Sequence, residues 1–287
     1  MFCFQCEQAK NGTGCVVEST CGKSPEVADL QDLLIWSVKG LSLVADEARR
    51  LGIEDPEVNA FTVQSIFATL TNVNFDPQRF DAYVRESAEL RDRLAERLAE
   101  AGGRSEWPEG PATYQPAATL EGLIRDGRAV GVPGEGEVDS TRRSLVETLI
   151  YGIKGVASYA EHARVLGKTD DEIFAFLHSA LAQTLRDDLT VDEALAMVME
   201  CGRINLRTME ILDEGHHERY GHPTPTEVPL GHRPNKAVLI SGHDLRDLEA
   251  LLEQTESLGI DVYTHGEMLP AHGYPKLKQR FPHLYGH

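Results

Sequence analysis

From residue 25 onward, apolar side chains recur mostly at three- and four-residue steps: Leu30, Leu33, Leu34, Val38, Leu41, Val44 and Ala45. That spacing lays one apolar stripe along a helix. Ser24 precedes it as an N-cap, Pro25 takes the first helical position, Glu26 lies in the first turn and Gly52 stops it, so a helix is predicted over about 25–51. Asp55-Pro56-Glu57 opens a second helix, to about 72, and Asp76-Pro77 a third, to about 101, with a charged outer face between Arg85 and Glu100. Residues 102–119 read as a connector rich in Gly and Pro. A short helix over 120–126 and a loop over 127–138, with Gly131, Pro133, Gly134 and Gly136, follow.

The pattern then returns. Leu30, Leu34-Ile35-Trp36, Val38-Lys39-Gly40, Ala45, Ala48-Arg49 and Leu51-Gly52 match Leu145, Leu149-Ile150-Tyr151, Ile153-Lys154-Gly155, Ala160, Ala163-Arg164 and Leu166-Gly167, every pair 115 residues apart. Ala60-Phe61 and Ala175-Phe176, then Thr69-Leu70 and Thr184-Leu185, keep the same offset. One offset held over so long a stretch is an internal duplication of a three-helix unit. The copies span 25–101 and 140–215, the second with helices at about 140–166, 170–186 and 190–215. Gly40 and Gly155, each in mid-helix, cost about 1 kcal/mol against Ala, and a close helix crossing would account for both.

Beyond a linker at 221–235, rich in Pro and Gly, the period changes. The run Ala237-Val-Leu-Ile240 reads as a strand, 245–258 as a helix and Ile260-Asp-Val-Tyr-Thr264 as a second strand, the start of a doubly wound parallel sheet. Ligands in such sheets bind beyond the carboxyl ends of the strands. His243 and Glu267 each follow a strand by about three residues and would share that edge. They are either a ligand pair, or a neighbour of the helix cap Asp244 and a solvated loop acid. The sequence closes at His287 after two strands. A two-stranded parallel sheet is not a stable domain, so the expectation is a longer protein or a partner that completes the sheet.

Charge narrows the function classes. The 287 residues carry 46 acidic and 28 basic side chains, net −18, which argues against nucleic acid and anionic membrane surfaces. The absence of a long apolar run argues against a membrane span, and the N-terminus has no signal-type stretch, so a cytoplasmic protein is expected. Four of five cysteines sit in the first 21 residues, spaced C-x2-C-x8-C-x5-C at Cys3, Cys6, Cys15 and Cys21. Gly12, Gly14 and Gly22 let the backbone fold sharply around them. Few apolar residues are available there, so something held by the thiolates must shape the segment. Two disulfides, a four-thiolate zinc site and an iron–sulfur cluster all satisfy the count. Cys201 reads as a small buried hydrophobe, and His216, His217, His222 and His232 as solvated helix-end and loop residues.

The opening Met-Phe-Cys3-Phe-Gln-Cys6-Glu-Gln, then Cys15, Thr20-Cys21-Gly-Lys and Pro25-Glu26-Val-Ala-Asp-Leu-Gln-Asp-Leu-Leu, resembles the hybrid cluster proteins, also called hydroxylamine reductases. The resemblance continues through Thr69-Leu-Thr-Asn-Val-Asn-Phe75, Gly155, Ser241-Gly-His-Asp-Leu245 and Val262-Tyr-Thr-His-Gly-Glu267-Met-Leu-Pro-Ala-His272, and so covers essentially the whole chain. It implies a mainly α architecture of two tandem three-helix bundles, followed by α/β domains. It implies a 4Fe–4S cluster on Cys3, Cys6, Cys15 and Cys21, and a hybrid iron–sulfur–oxygen cluster for which His243 and Glu267 match two ligands. The implied reaction is reduction of hydroxylamine, or a related nitrogen oxide, with electrons from a redox donor protein. The family's further ligands, several cysteines and a glutamate, come later in sequence. No cysteine follows Cys201 here, so the chain reads as an N-terminal half whose second cluster depends on a C-terminal half-chain. The expected organisation is a cysteine segment over 1–24, the duplicated helical domain over 25–220, the linker, and a partial Rossmann-like domain over 236–287. Two other classes compete: an iron–sulfur electron-transfer module without its own active site, and a zinc-stabilised helical scaffold.

Overall fold

A computed structural model of the protein describes residues 3–6, 14–132 and 139–287; Gly12, Pro133, Gly134 and Gly136 of the expected loops lie outside them. The chain divides into two compact units, one of Met1–Glu161 with Asp170–Met209, the other of His162–Thr169 with Glu210–His287.

The first unit is built on the repeat. Helices α1 (Pro25–Arg50), α2 (Pro56–Ala68) and α3 (Pro77–Glu100) come first, then α4 (Leu120–Val130), then α5 (Ser140–Val165), α6 (Asp171–Gln183) and α7 (Val191–Tyr220). Both ends of α5 and of α6 lie 115 residues beyond those of α1 and α2, so the duplication extends to where helices start and stop. Ser24, Asp55, Asp76 and Asp170 each accept a backbone N–H as N-caps, the first three ahead of a proline in the first turn. Helix α1 is central and packs against α3, α4 and α6. Its Leu30, Leu33, Leu34, Val38 and Leu41 are fully buried, each contributing about 1.5–3 kcal/mol.

Several expectations are corrected. Helix α2 stops at Ala68, short of residue 72, and the turn that follows carries Asn72 in a left-handed backbone with φ 63°. Helix α4 runs on to Val130, and α7 to Tyr220. Gly40 does permit a close approach, but to the connector: a Cβ there would collide with the Pro111 carbonyl oxygen. At Gly155 a Cβ would meet nothing within 4 Å among the described residues, so no helix crossing explains it. The close contact in the second copy falls at Gly152, where a Cβ would stand 2.8 Å from Cys201 Sγ.

The second unit holds a parallel sheet of three strands in the order β1 (Lys236–Ser241), β2 (Ile260–His265), β3 (Leu284–Gly286). The expectation of two strands missed the third, which is too short to show a period. Helix α8 (Leu245–Thr255) joins β1 to β2, while a 3-10 turn (Gly266–Gly273) and α9 (Pro275–Arg280) join β2 to β3. The core gathers Leu248, Leu252, Val262, Met268, Phe281 and Leu284. β2 is well covered, but β1 is largely exposed, and its Leu239 keeps 69% of its surface. Among the described residues β1 pairs on one side only. No helix among them is long and apolar enough to cross a membrane.

Candidate metal centre

Cys3 and Cys15 face each other as a short antiparallel bridge, with N–H to O distances of 3.1 and 3.0 Å in the two directions. Gly14 and Gly22 take positive φ, 76° and 86°, which delivers the sharp turns expected of them. The four cysteines line one cavity of about 250 Å³, bordered also by Lys23 and Asn72. None of the five cysteines is disulfide-bonded. Among the described residues, no three His, Cys, Asp or Glu side chains are gathered tightly enough for a single metal ion; the four thiols stand around the cavity wall.

Burial pushes the Cys3 thiol up, against the pull of the Lys23 ammonium. A thiolate is therefore costly here unless positive charge joins it. Lys23, itself buried, places Nζ 3.7 Å from Cys3 Sγ and donates to the Gln31 side chain. The loop between Cys3 and Cys6 is held by the second repeat. Tyr151 Oη donates to the Phe4 carbonyl at 2.6 Å, and Lys154 Nζ donates to the carbonyls of Gln5 at 3.1 Å and Thr69 at 3.3 Å. Gln5 in turn accepts from Lys154 through its side chain and donates to Asp32. These anchoring residues were not singled out from sequence, although a signal existed: Lys39 and Lys154 are repeat partners, each set in an apolar stretch of its helix.

In the second unit, His243 Nδ1 lies 3.6 Å from Glu267 Oε2, both side chains largely exposed, at 54% and 81%. Each sits two residues past its strand, since β1 ends at Ser241 and β2 at His265. Those strand ends are in register, and Ser241 Oγ lies 3.0 Å from His265 Nδ1. Asp244 caps α8 through the Arg246 N–H at 2.7 Å, and the His162 ring stands 5.5 Å from that of His243. The edge thus presents a nitrogen and an oxygen donor side by side.

Cys201 is buried, and burial raises its thiol to about 11. His222 and His232 are exposed. His216 departs from the solvated reading, because its ring packs against Tyr220 and Tyr274 and burial lowers its proton affinity. The His217 ring lies 4.5 Å from that of His222, and its Nδ1 lies 3.4 Å from Asp213.

Residues 1–287 match the Prismane/CO dehydrogenase family. The chain belongs to that family. Relatives include hydroxylamine reductases of Syntrophobacter fumaroxidans, 52% identical over 287 residues, and Methanocella arvoryzae, 51% identical over 288. That of Geobacter sulfurreducens is 48% identical over 292 residues. Each alignment covers all of this chain and 53% of the relative, so the chain spans about half the length of the curated relatives it matches.

Proposed function

We propose that Cys3, Cys6, Cys15 and Cys21 hold a 4Fe–4S cluster, and that this centre serves the reduction of hydroxylamine. The observation that carries the reading is the convergence of four cysteines, none of them disulfide-bonded, on one cavity of about 250 Å³. A lone zinc ion draws its four sulfurs to about 2.3 Å and leaves no such space, whereas a polynuclear cluster needs room between them. The buried Lys23 ammonium beside Cys3 suits an assembly of negative net charge. When bound, the cluster supplies one-electron transfer. The residues of this chain hold the thiols in place: Tyr151 and Lys154 fix the loop, and Lys23 offsets thiolate charge.

His243 and Glu267 are proposed as two ligands of the hybrid iron–sulfur–oxygen cluster, supported by their adjacency at the strand ends. Imidazole nitrogen and carboxylate oxygen are harder donors than thiolate, and would favour oxygen- or nitrogen-bearing substrates at the irons they hold. The remaining ligands are proposed to come from a C-terminal half corresponding to the part of the relatives' length beyond this alignment. That half would also pair with the free side of β1. The reaction, NH2OH + 2 e⁻ + 2 H⁺ → NH3 + H2O, then draws on a redox donor protein. Cysteines without disulfides favour a cytoplasmic setting. Without the second half, the chain would act as an electron-transfer module.

Anaerobic reconstitution tests the first step. About four irons and matching sulfide per chain are expected, lost when Cys3, Cys6, Cys15 or Cys21 is replaced by Ala and retained in Cys201→Ala. Stoichiometric zinc without sulfide would overturn the reading.

A further inference from the structure

A second cavity, of about 120 Å³, adjoins the cysteine site through Gln5, which lines both. Its walls carry Asp32, Lys39 and Glu147. These charges follow the repeat: Glu147 stands 115 residues after Asp32, as Lys154 does after Lys39. The duplicated helices thus bring equivalent ionisable groups together in the wall of one cavity.

Asp32 connects the two cavities. One carboxylate oxygen, Oδ1, accepts from Gln5 Nε2, in the loop between Cys3 and Cys6. The other, Oδ2, faces Gly131 in the wall of the second cavity, where a Cβ would stand 2.7 Å from it. Asp32 also acts electrostatically on the Cys3 thiol. Its charged surroundings are Lys23, Asp29, Lys154 and Glu147, with Asp29 held by Arg128 at 2.7 Å. Lys39 faces both Asp32 and Glu147, and Arg143 also faces Glu147.

We propose that the Asp32 carboxylate is a proton-binding site that takes up one proton, entering through the second cavity, for each electron entering the four-cysteine centre. This rests on the reading that the cysteines hold an iron–sulfur cluster. An external reductant supplies the electron, which stays on the centre. Hydronium supplies the proton, breaking one of its O–H bonds and forming the Oδ2–H bond, so the net charge of the buried region is unchanged. The driving force is Coulombic, because added negative charge in a poorly solvated interior raises the proton affinity of a nearby acid. Burial already raises Asp32 to about 7, despite the opposing pull of Lys154 and Lys23, so a further charge changes its occupancy near neutrality. The proposal assigns the second cavity the role of proton entry.

The test is a redox titration of the reconstituted chain with dithionite at a series of pH values, followed by electron paramagnetic resonance. Above the pH at which Asp32 loses its proton in the oxidised centre, the midpoint potential should fall by about 59 mV per pH unit, the value for one proton per electron. In the fraction of chain that holds iron, Asp32→Asn should flatten the dependence, while Glu147→Gln should retain it. If Asp32→Asn fails to hold iron, Gly131→Ala replaces it: its Cβ would crowd Oδ2 and move the onset to higher pH. A pH-independent potential in a loaded wild-type centre overturns the coupling alone. So does a slope abolished by Glu147→Gln but not by Asp32→Asn, or an unmoved onset in Gly131→Ala. Absence of iron and sulfide overturns the cluster reading and the coupling with it.

Discussion

Lys154 is almost wholly buried, at 1% exposure, yet its Nζ donates to two main-chain carbonyls and a side-chain amide. Replacing it by Met leaves the Gln5 and Thr69 carbonyls without that donor, and an orphaned buried acceptor costs about 1–3 kcal/mol. Lys154→Met should therefore lower the melting temperature and release iron to a chelator several-fold faster, measured by thermal unfolding and by iron retained per chain. Tyr151→Phe, which removes one hydrogen bond to Phe4, should cost about 1 kcal/mol by the same measurements. His178 shows the opposite use of burial. It lies between Ser42 Oγ at 3.3 Å and Asn59 Oδ1 at 3.0 Å, and burial, then the charge of Arg49, lowers it to about 3. The folded state thus binds this proton less readily than the unfolded chain, whose histidine titrates near 6.5. Its stabilising contribution is complete above about pH 6.5 and is lost as pH falls toward about 3, by an amount on the order of a few kcal/mol. Denaturant unfolding across that range should show a shallower acid loss in His178→Gln than in wild type.

At the scale of the element, the repeat places glycine at 40 and at 155 in two very different surroundings. Gly40→Ala would drive a methyl group into the Pro111 carbonyl, since α1 and the connector touch backbone to backbone there. Overpacking of that kind costs about 1–3 kcal/mol. Gly155→Ala meets no neighbour within 4 Å among the described residues, and should instead stabilise by up to about 1 kcal/mol, because Ala restricts the unfolded chain and favours the helix. Parallel denaturation curves of the two variants decide this. Equal destabilisation would mean that the two copies kept the same packing at this position. The duplication preserved the ends of its first two helices to the residue, but not those of the third nor what each glycine contacts. It also separated the roles of its lysines: Lys154 clamps the cysteine loop, while Lys39 faces the second cavity.

For the whole molecule, the sheet and the His243–Glu267 edge bear on the same question. β1 leaves Leu239 exposed and pairs on one side only among the described residues, the condition under which a strand recruits another chain. On the proposed function, the same partner surface would bring the further cluster ligands. The 287-residue chain alone should then carry the N-terminal cluster with little or no hydroxylamine turnover. Amide exchange should be faster in β1 than in β2. Adding a C-terminal half taken from a relative should slow exchange in β1 and produce turnover, which His243→Ala or Glu267→Ala should abolish. Robust turnover by the chain alone would reject the shared-ligand scheme.

The helices, their caps and the duplication were legible in the sequence because they rest on local periodicity and on Pro, Asp, Ser and Gly at fixed offsets. The four-cysteine segment was legible because thiols so concentrated have few alternative uses. The adjacency of His243 and Glu267 followed from a rule about strand ends that needs no long-range information. Tertiary structure alone decided the rest. The third strand, three residues long at Leu284–Gly286, exists because β2 offers it an edge. Lys154, Tyr151 and Asp32 reach the cysteine loop from up to 149 residues away, and no local pattern distinguishes an anchoring lysine from its repeat partner. What a buried polar group does depends on which main-chain carbonyls the fold brings within its reach. That is a property of chain crossings, which periodicity along one helix does not encode.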